Sequence, residues 1–110
     1  MSGSSLVEAI ARAGFEAAER EIEYRAKQSG GYRHARIWEE ASELDRIWWR
    51  YVVDKGAQSP QDIFERRMEG AYGVKPWMKK SDRERIVWER ISNAMNAARR
   101  RASIDAMAAD

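Results

Sequence analysis

The 110-residue chain contains no cysteine, a single histidine and two prolines. Without thiols there is no disulfide framework, thiolate zinc site, iron–sulfur cluster or cysteine nucleophile. His34 alone cannot build a multi-histidine metal site, and the Glu-x-x-His pairs of di-metal bundles are missing. No apolar run approaches the ~18–20 residues that span a bilayer. The start, Met1-Ser2-Gly3-Ser4-Ser5, has neither the basic nor the apolar region of a signal peptide. These absences predict a cytoplasmic protein without membrane contact.

Chemistry is equally thin. No serine sits in a Gly-x-Ser-x-Gly elbow beside a base. His34 lies in a polar stretch next to two glycines and reads as an ordinary surface residue. Gly70-Ala71-Tyr72-Gly73 has no strand before it and no Lys-Ser/Thr after it, so it is no phosphate loop. Glu39, Glu40 and Glu43 are expected on one helix, exposed or paired with Arg36, Arg46 or Arg50. The expectation is a non-enzyme with no catalytic residue, metal or cofactor.

What is present is helix-forming sequence. Apolar residues make up 44%, too many for a disordered chain, and charged residues 35%, too many for a membrane protein. The length suits one domain, residues 1–110. No strand-like alternation persists, and the breaks fall at Gly30-Gly31, Gly56, Pro60, Gly70, Gly73 and Pro76. The pattern predicts an all-α compact bundle of about four helices. Two are long and N-terminal, one is short, and one is long, basic and C-terminal.

The first helix is expected over 6–28, opened by a Ser5/Glu8 capping box. Its stripe is Leu6, Ile10, Gly14, Ala18 and Ile22, and Gly14 with the alanines makes a narrow face for close helix approach. The second is expected over 33–55, ending at Gly56 in the C′ position. Its main stripe is Ile37, Ala41, Leu44, Trp48 and Tyr51/Val52, with Trp38, Asp45, Trp49 and Val53 alongside. That is too broad for a helix packed on one side, so it sits centrally or offers an aromatic surface to a partner. Ser59-Pro60 starts a short third helix over 60–70, and Ser81 caps a fourth.

Five tryptophans stand out, because tryptophan is enriched at binding hot spots. Trp48 and Trp88 are assigned to the core. Adjacent residues point about 100° apart on a helix, so Trp49 cannot share the slot of Trp48. Trp49 and Trp38 are expected on nearly one face, and with Arg46 and Arg50 they form the candidate partner-binding set. Net charge is only +2, but residues 75–101 hold nine basic side chains against three acidic ones. Lys79, Lys80, Arg83, Arg90, Arg99, Arg100 and Arg101 are the candidates for contacting phosphate or an acidic partner.

Pro76-Trp77, a basic spacer, Ser81-Asp82, Arg85 and Trp88, followed by an alanine-rich run to Ala98, resembles a small helical protein type often encoded by tailed phages and prophages. Lys80 stands where that type prefers an apolar residue. The resemblance implies a phage or mobile-element accessory protein, and no activity comes with it. Such an origin implies an anti-CRISPR-like inhibitor that blocks a host defence effector by occluding a protein surface. The alternative is a nucleic-acid-binding module using the basic C-terminal helix. A homodimer is open to either, since exposed aromatics can meet their symmetry mates. Read from its residues alone, the motif is a device for seating a loop, with Trp77 folding back onto Arg85 or Trp88.

Overall fold

A computed structural model describes residues 3–108. Their elements are α1 (Gly3–Gln28), α2 (Glu43–Asp54), α3 (Pro60–Arg67) and α4 (Asp82–Ala108), with single 3-10 turns at Trp38–Glu40 and Trp77–Lys79. The described residues form an all-α bundle without strands. Helices α1 and α4 are antiparallel: Gly14 meets Met95, and Glu21 meets Arg90 further along. Helix α2 packs on α1, and α3 packs on α4. The core gathers Ile10 and Phe15 of α1, Trp49 and Val52 of α2, Ile63 of α3, and Ile91 and Met95 of α4. No helix among the described residues is long and apolar enough to cross a membrane.

The start of α1 differs from expectation. The helix extends back to Gly3, so Ser5 lies inside it, and Glu8 binds Arg50 and Trp38 instead of a cap. A capping box does form at α4. The Ser81 hydroxyl accepts from the Glu84 N–H at 3.2 Å, and Glu84 accepts from the Ser81 N–H at 3.2 Å. The Ser81 N–H and the Ser81 hydroxyl, which also donates to Glu84 Oε1 at 3.1 Å, hold the Glu84 carboxyl down at about 2, with Lys75 adding to the effect. The Ser-x-x-Glu spacing of 81–84 was the signal for it.

The larger difference is at 31–42. The second helix begins at Glu43, capped by the Ser42 hydroxyl accepting from Asp45 N–H at 3.1 Å. Before it the chain is extended and then makes one 3-10 turn. Three glutamates of α1 explain this. Glu23 accepts from Ala35 N–H at 3.0 Å, Glu19 from Arg36 N–H at 3.0 Å, and Glu16 from Trp38 N–H at 2.8 Å. Carboxylates thus satisfy the backbone donors that a helix would otherwise pair, and tertiary contact overrides local propensity. The second helix is therefore 12 residues long and not one of two long N-terminal helices. Helix α3 ends at Arg67, short of the expected 70. Gly30 and Gly56 follow α1 and α2 with φ of 79° and 72°, the left-handed exit that glycine permits.

Gly14 does what its place on a narrow face predicted. A Cβ there would lie 2.8 Å from Met95 Sδ and from Cε3 and Cζ3 of Trp49. Replacing it with alanine tests the packing. Helix propensity favours alanine by about 1 kcal/mol, while overfilling a core costs about 1–3 kcal/mol. Met95 can bend away, but the flat indole of Trp49 cannot. Gly14→Ala should therefore lose about 1 kcal/mol net in urea unfolding. A more stable variant would show that the ring has room to slide.

Candidate functional site

Of the residues expected to bind a partner, Trp38 and Trp49 are buried, and Arg46 and Arg50 are half-buried over the Trp38 ring. Trp38 and Trp49 are 7% and 3% exposed, so neither forms an outward patch. Trp38 packs edge-on against Phe15 at 5.9 Å and donates its indole N–H to Glu8 at 3.1 Å. Arg46 lies 5.7 Å over the Trp38 ring and donates to the carbonyls of Trp38 and Glu39. Arg50 lies 5.9 Å over the same ring and pairs with Glu8. The Arg50 hydrogen bond outweighs partial desolvation and holds the Glu8 carboxyl below its ordinary value. Trp38, Arg46 and Arg50 are spent on seating the 3-10 turn, and Trp49 is spent on the contact with Gly14.

Glu39 pairs with Arg12 of α1, not with the arginines of its own segment, and His34 is exposed beside Glu40 at 3.4 Å. A second ionic lattice locks the extended segment. Glu19 is buried and accepts from Arg36 Nε at 3.0 Å and Arg33 Nη2 at 3.2 Å. Arg36 reaches Asp45 at 3.5 Å, and Asp45 accepts from Arg67 at 3.3 Å. Arg67 lies 5.4 Å over the Trp49 ring, where burial pulls its guanidinium below its ordinary value against the pull of Asp45. Desolvation pushes the Glu19 carboxyl up, but the side-chain and backbone donors of Arg36 and the charge of Arg33 outweigh it and hold it low.

What does face outward is the other stripe of α2. Leu44 and Ile47 are 64% and 51% exposed, and Trp48 and Tyr51 are half-buried. Their spacing of i, i+3, i+4, i+7 puts all four on one side. Trp48 and Tyr51 meet edge-to-face at 5.5 Å. The Tyr51 hydroxyl donates to Glu69 at 2.8 Å, and Lys55 lies 5.5 Å over its ring. Glu43, Asp54, Lys55 and Glu69 are exposed around this stripe. An apolar centre inside a polar rim is how protein interfaces are built. The core assignment of Trp48 is thus corrected, because Trp49 takes the inward slot over Gly14. Trp88 does pack against the core.

The basic residues divide. The Lys80 side chain is 10% exposed, lies 4.4 Å over Phe64 and pairs with Glu84 at 3.5 Å. Its ammonium thus sits on an aromatic face and beside a carboxylate instead of in solvent. Lys79 is exposed at the 3-10 turn. Arg99 donates to Asn96 at 2.6 Å, and Arg90 pairs with buried Glu21 at 3.0 Å. Arg83, Arg100 and Arg101 are exposed and make no ion pair among the described residues. At 100° per residue, Arg83, Arg90 and Arg101 point within about 20° of one another, and Arg99 points elsewhere.

The Pro76–Trp88 segment seats a loop on α4. Arg85 lies 5.4 Å over the Trp77 ring and donates to the carbonyls of Trp77 and Met78 at 3.0 and 3.2 Å. Phe64 stands between Trp77 and Trp88, at 5.7 and 5.3 Å. Among the described residues no three His, Cys, Asp or Glu side chains gather as metal ligands. The chain matches no protein-family model, and searches among curated proteins and solved structures find no match to it.

Proposed function

We propose that this is a non-catalytic, cytoplasmic binding protein that occludes a surface of another protein through the outer face of α2. Leu44, Ile47, Trp48 and Tyr51 are the contact residues, replacing Trp38 and Trp49 in that role. The supporting observation is the outward stripe of α2, with Leu44 and Ile47 exposed, on a helix whose opposite side already fills the core. Folding does not need a second apolar stripe there, and indole and phenol anchors are the usual centres of protein recognition. The resemblance at 76–98 supplies the specific form of the proposal, a phage-borne inhibitor of a host defence effector of the CRISPR type.

The test is affinity capture from host lysate with nuclease present, using wild type, Ile47→Asp and Arg100→Gln. A stoichiometric protein held by wild type and Arg100→Gln but lost with Ile47→Asp supports the proposal. Retention by Ile47→Asp overturns it. Sedimentation of the purified chain checks the homodimer: a dimer dissolved by Ile47→Asp assigns the stripe to a second copy and overturns the host-protein reading. Nucleic-acid binding has one observation in its favour, the alignment of Arg83, Arg90 and Arg101 along one side of α4.

A further inference from the structure

The α1–α4 contact carries a second feature that the outer face of α2 does not use. Between the C-terminal half of α1 and the N-terminal half of α4 runs a groove of about 630 Å³. That volume lies within the range of small-molecule sites, about 300–1,000 Å³. None of its lining residues belongs to α2 or α3. We propose that this groove binds a nucleotide, free or within a single strand, with Arg25, Arg83 and Arg90 on the phosphate and Tyr24 against the base.

Three guanidinium groups line the groove, and Glu21 is the only carboxylate among the described residues that line it. Arg90 holds Glu21 through Nη1, at 3.0 and 3.2 Å, while its side chain stays 59% exposed. Its remaining N–H donors face no carboxylate among the described residues. Arg25 and Arg83 have no ion-pair partner among the described residues. Here α1 ends and α4 begins, so the opposed helix dipoles nearly cancel and the arginines set the sign of the field. Planar guanidinium forks match phosphate oxygens in pairs.

The phosphate part alone would fit any oxyanion. Tyr24 narrows the class. It is 54% exposed at the groove, and its hydroxyl accepts from Gln28 Nε2 at 2.8 Å, which ties the ring in place. Ile86 is 41% exposed beside it and adds apolar surface. An anchored aromatic ring beside clustered arginines is the arrangement that takes one base and its phosphate without reading sequence.

The experiment is fluorescence anisotropy at low salt, with a labelled short oligothymidylate in one arm and a labelled ATP analogue in the other. Binding in at least one arm is expected. Tyr24→Leu should weaken it about tenfold. Arg83→Gln should weaken it and flatten the log–log salt slope by about 0.7 for a strand. Glu21→Gln removes the opposing carboxylate and should tighten binding severalfold. Lys79→Gln and Arg99→Gln, whose side chains lie outside the groove, should change nothing. Tight binding of the strand alone assigns the nucleotide to a chain, and equal binding of the analogue assigns it to the free ligand. The proposal is overturned by no binding in either arm, by binding indifferent to Tyr24→Leu, or by equal losses with Lys79→Gln and Arg99→Gln. Because Ile47→Asp leaves the groove intact, loss of the α2 reading and loss of this one can be told apart.

Discussion

Replacing Trp49 with alanine lowers the unfolding free energy by about 3–5 kcal/mol, whereas replacing its neighbour Trp48 lowers it by less than about 1.5 kcal/mol. The difference follows from which way each ring points. Trp49 is 3% exposed, lies across Gly14 in the α1–α2 contact, and carries Arg67 over its face at 5.4 Å. Truncation leaves a cavity the size of an indole beside a glycine that has no side chain to fill it. Trp48 is half-buried on the outer stripe, and its loss removes little beyond the edge-to-face contact with Tyr51. For a chain of this length the Trp49 variant should melt roughly 15–30 °C lower. Urea unfolding of both variants decides the matter, and equal losses would remove the division of α2 into an inward and an outward stripe. The same pair separates folding from binding: Trp48→Ala should keep the fold and lose the captured partner.

The sequence made the helices readable but not this division. Two apolar stripes about 100° apart on one helix compete for the core, and periodicity cannot rank them. The ranking comes from Gly14, about 35 residues earlier in the chain. Its missing side chain leaves a notch that admits Trp49. The close-approach signal at Gly14 was legible, but the identity of the approaching ring was not. The same limit applies at 31–42. A local window there sees helix-compatible residues and cannot see that Glu16, Glu19 and Glu23 of α1 hold the amides of Trp38, Arg36 and Ala35. Trp38 and Trp49 share a helical face only if a helix runs unbroken through 38–49, and the chain breaks it before Glu43. By contrast, Ser59-Pro60, Gly56 and the Trp77–Arg85 clasp were readable, because cap, exit and clasp are set within a few residues.

Those carboxylates define the second large effect. Glu19→Gln should cost about 2–4 kcal/mol near neutral pH. The carboxylate accepts from Arg33, from Arg36 Nε and Nη2, and from the Arg36 backbone, and it is buried. Glutamine keeps one acceptor oxygen but turns an NH2 donor toward guanidinium donors, and it removes the charge that offsets them. The arginines are half-exposed and partly recover water, which keeps the loss below that of a fully buried pair. The dependence on pH carries the opposite sign to a histidine effect. Glu19, Glu8 and Glu84 all ionise more readily folded than their ordinary value of 4.5, Glu84 down at about 2. Below that ordinary value the unfolded chain binds more protons than the folded one. Stability is therefore complete above about pH 5 and drains away as pH falls through the folded values. Wild type should weaken steeply on acidification, and the gap between it and Glu19→Gln should narrow toward about pH 3. A gap of equal size at both pH values would show that the ionic charge of Glu19 contributes nothing. Amide exchange gives the local view. The amides of Ala35, Arg36 and Trp38 should lose protection in Glu19→Gln before those of α4 do, because the extended segment is held by these carboxylates instead of by a helix of its own.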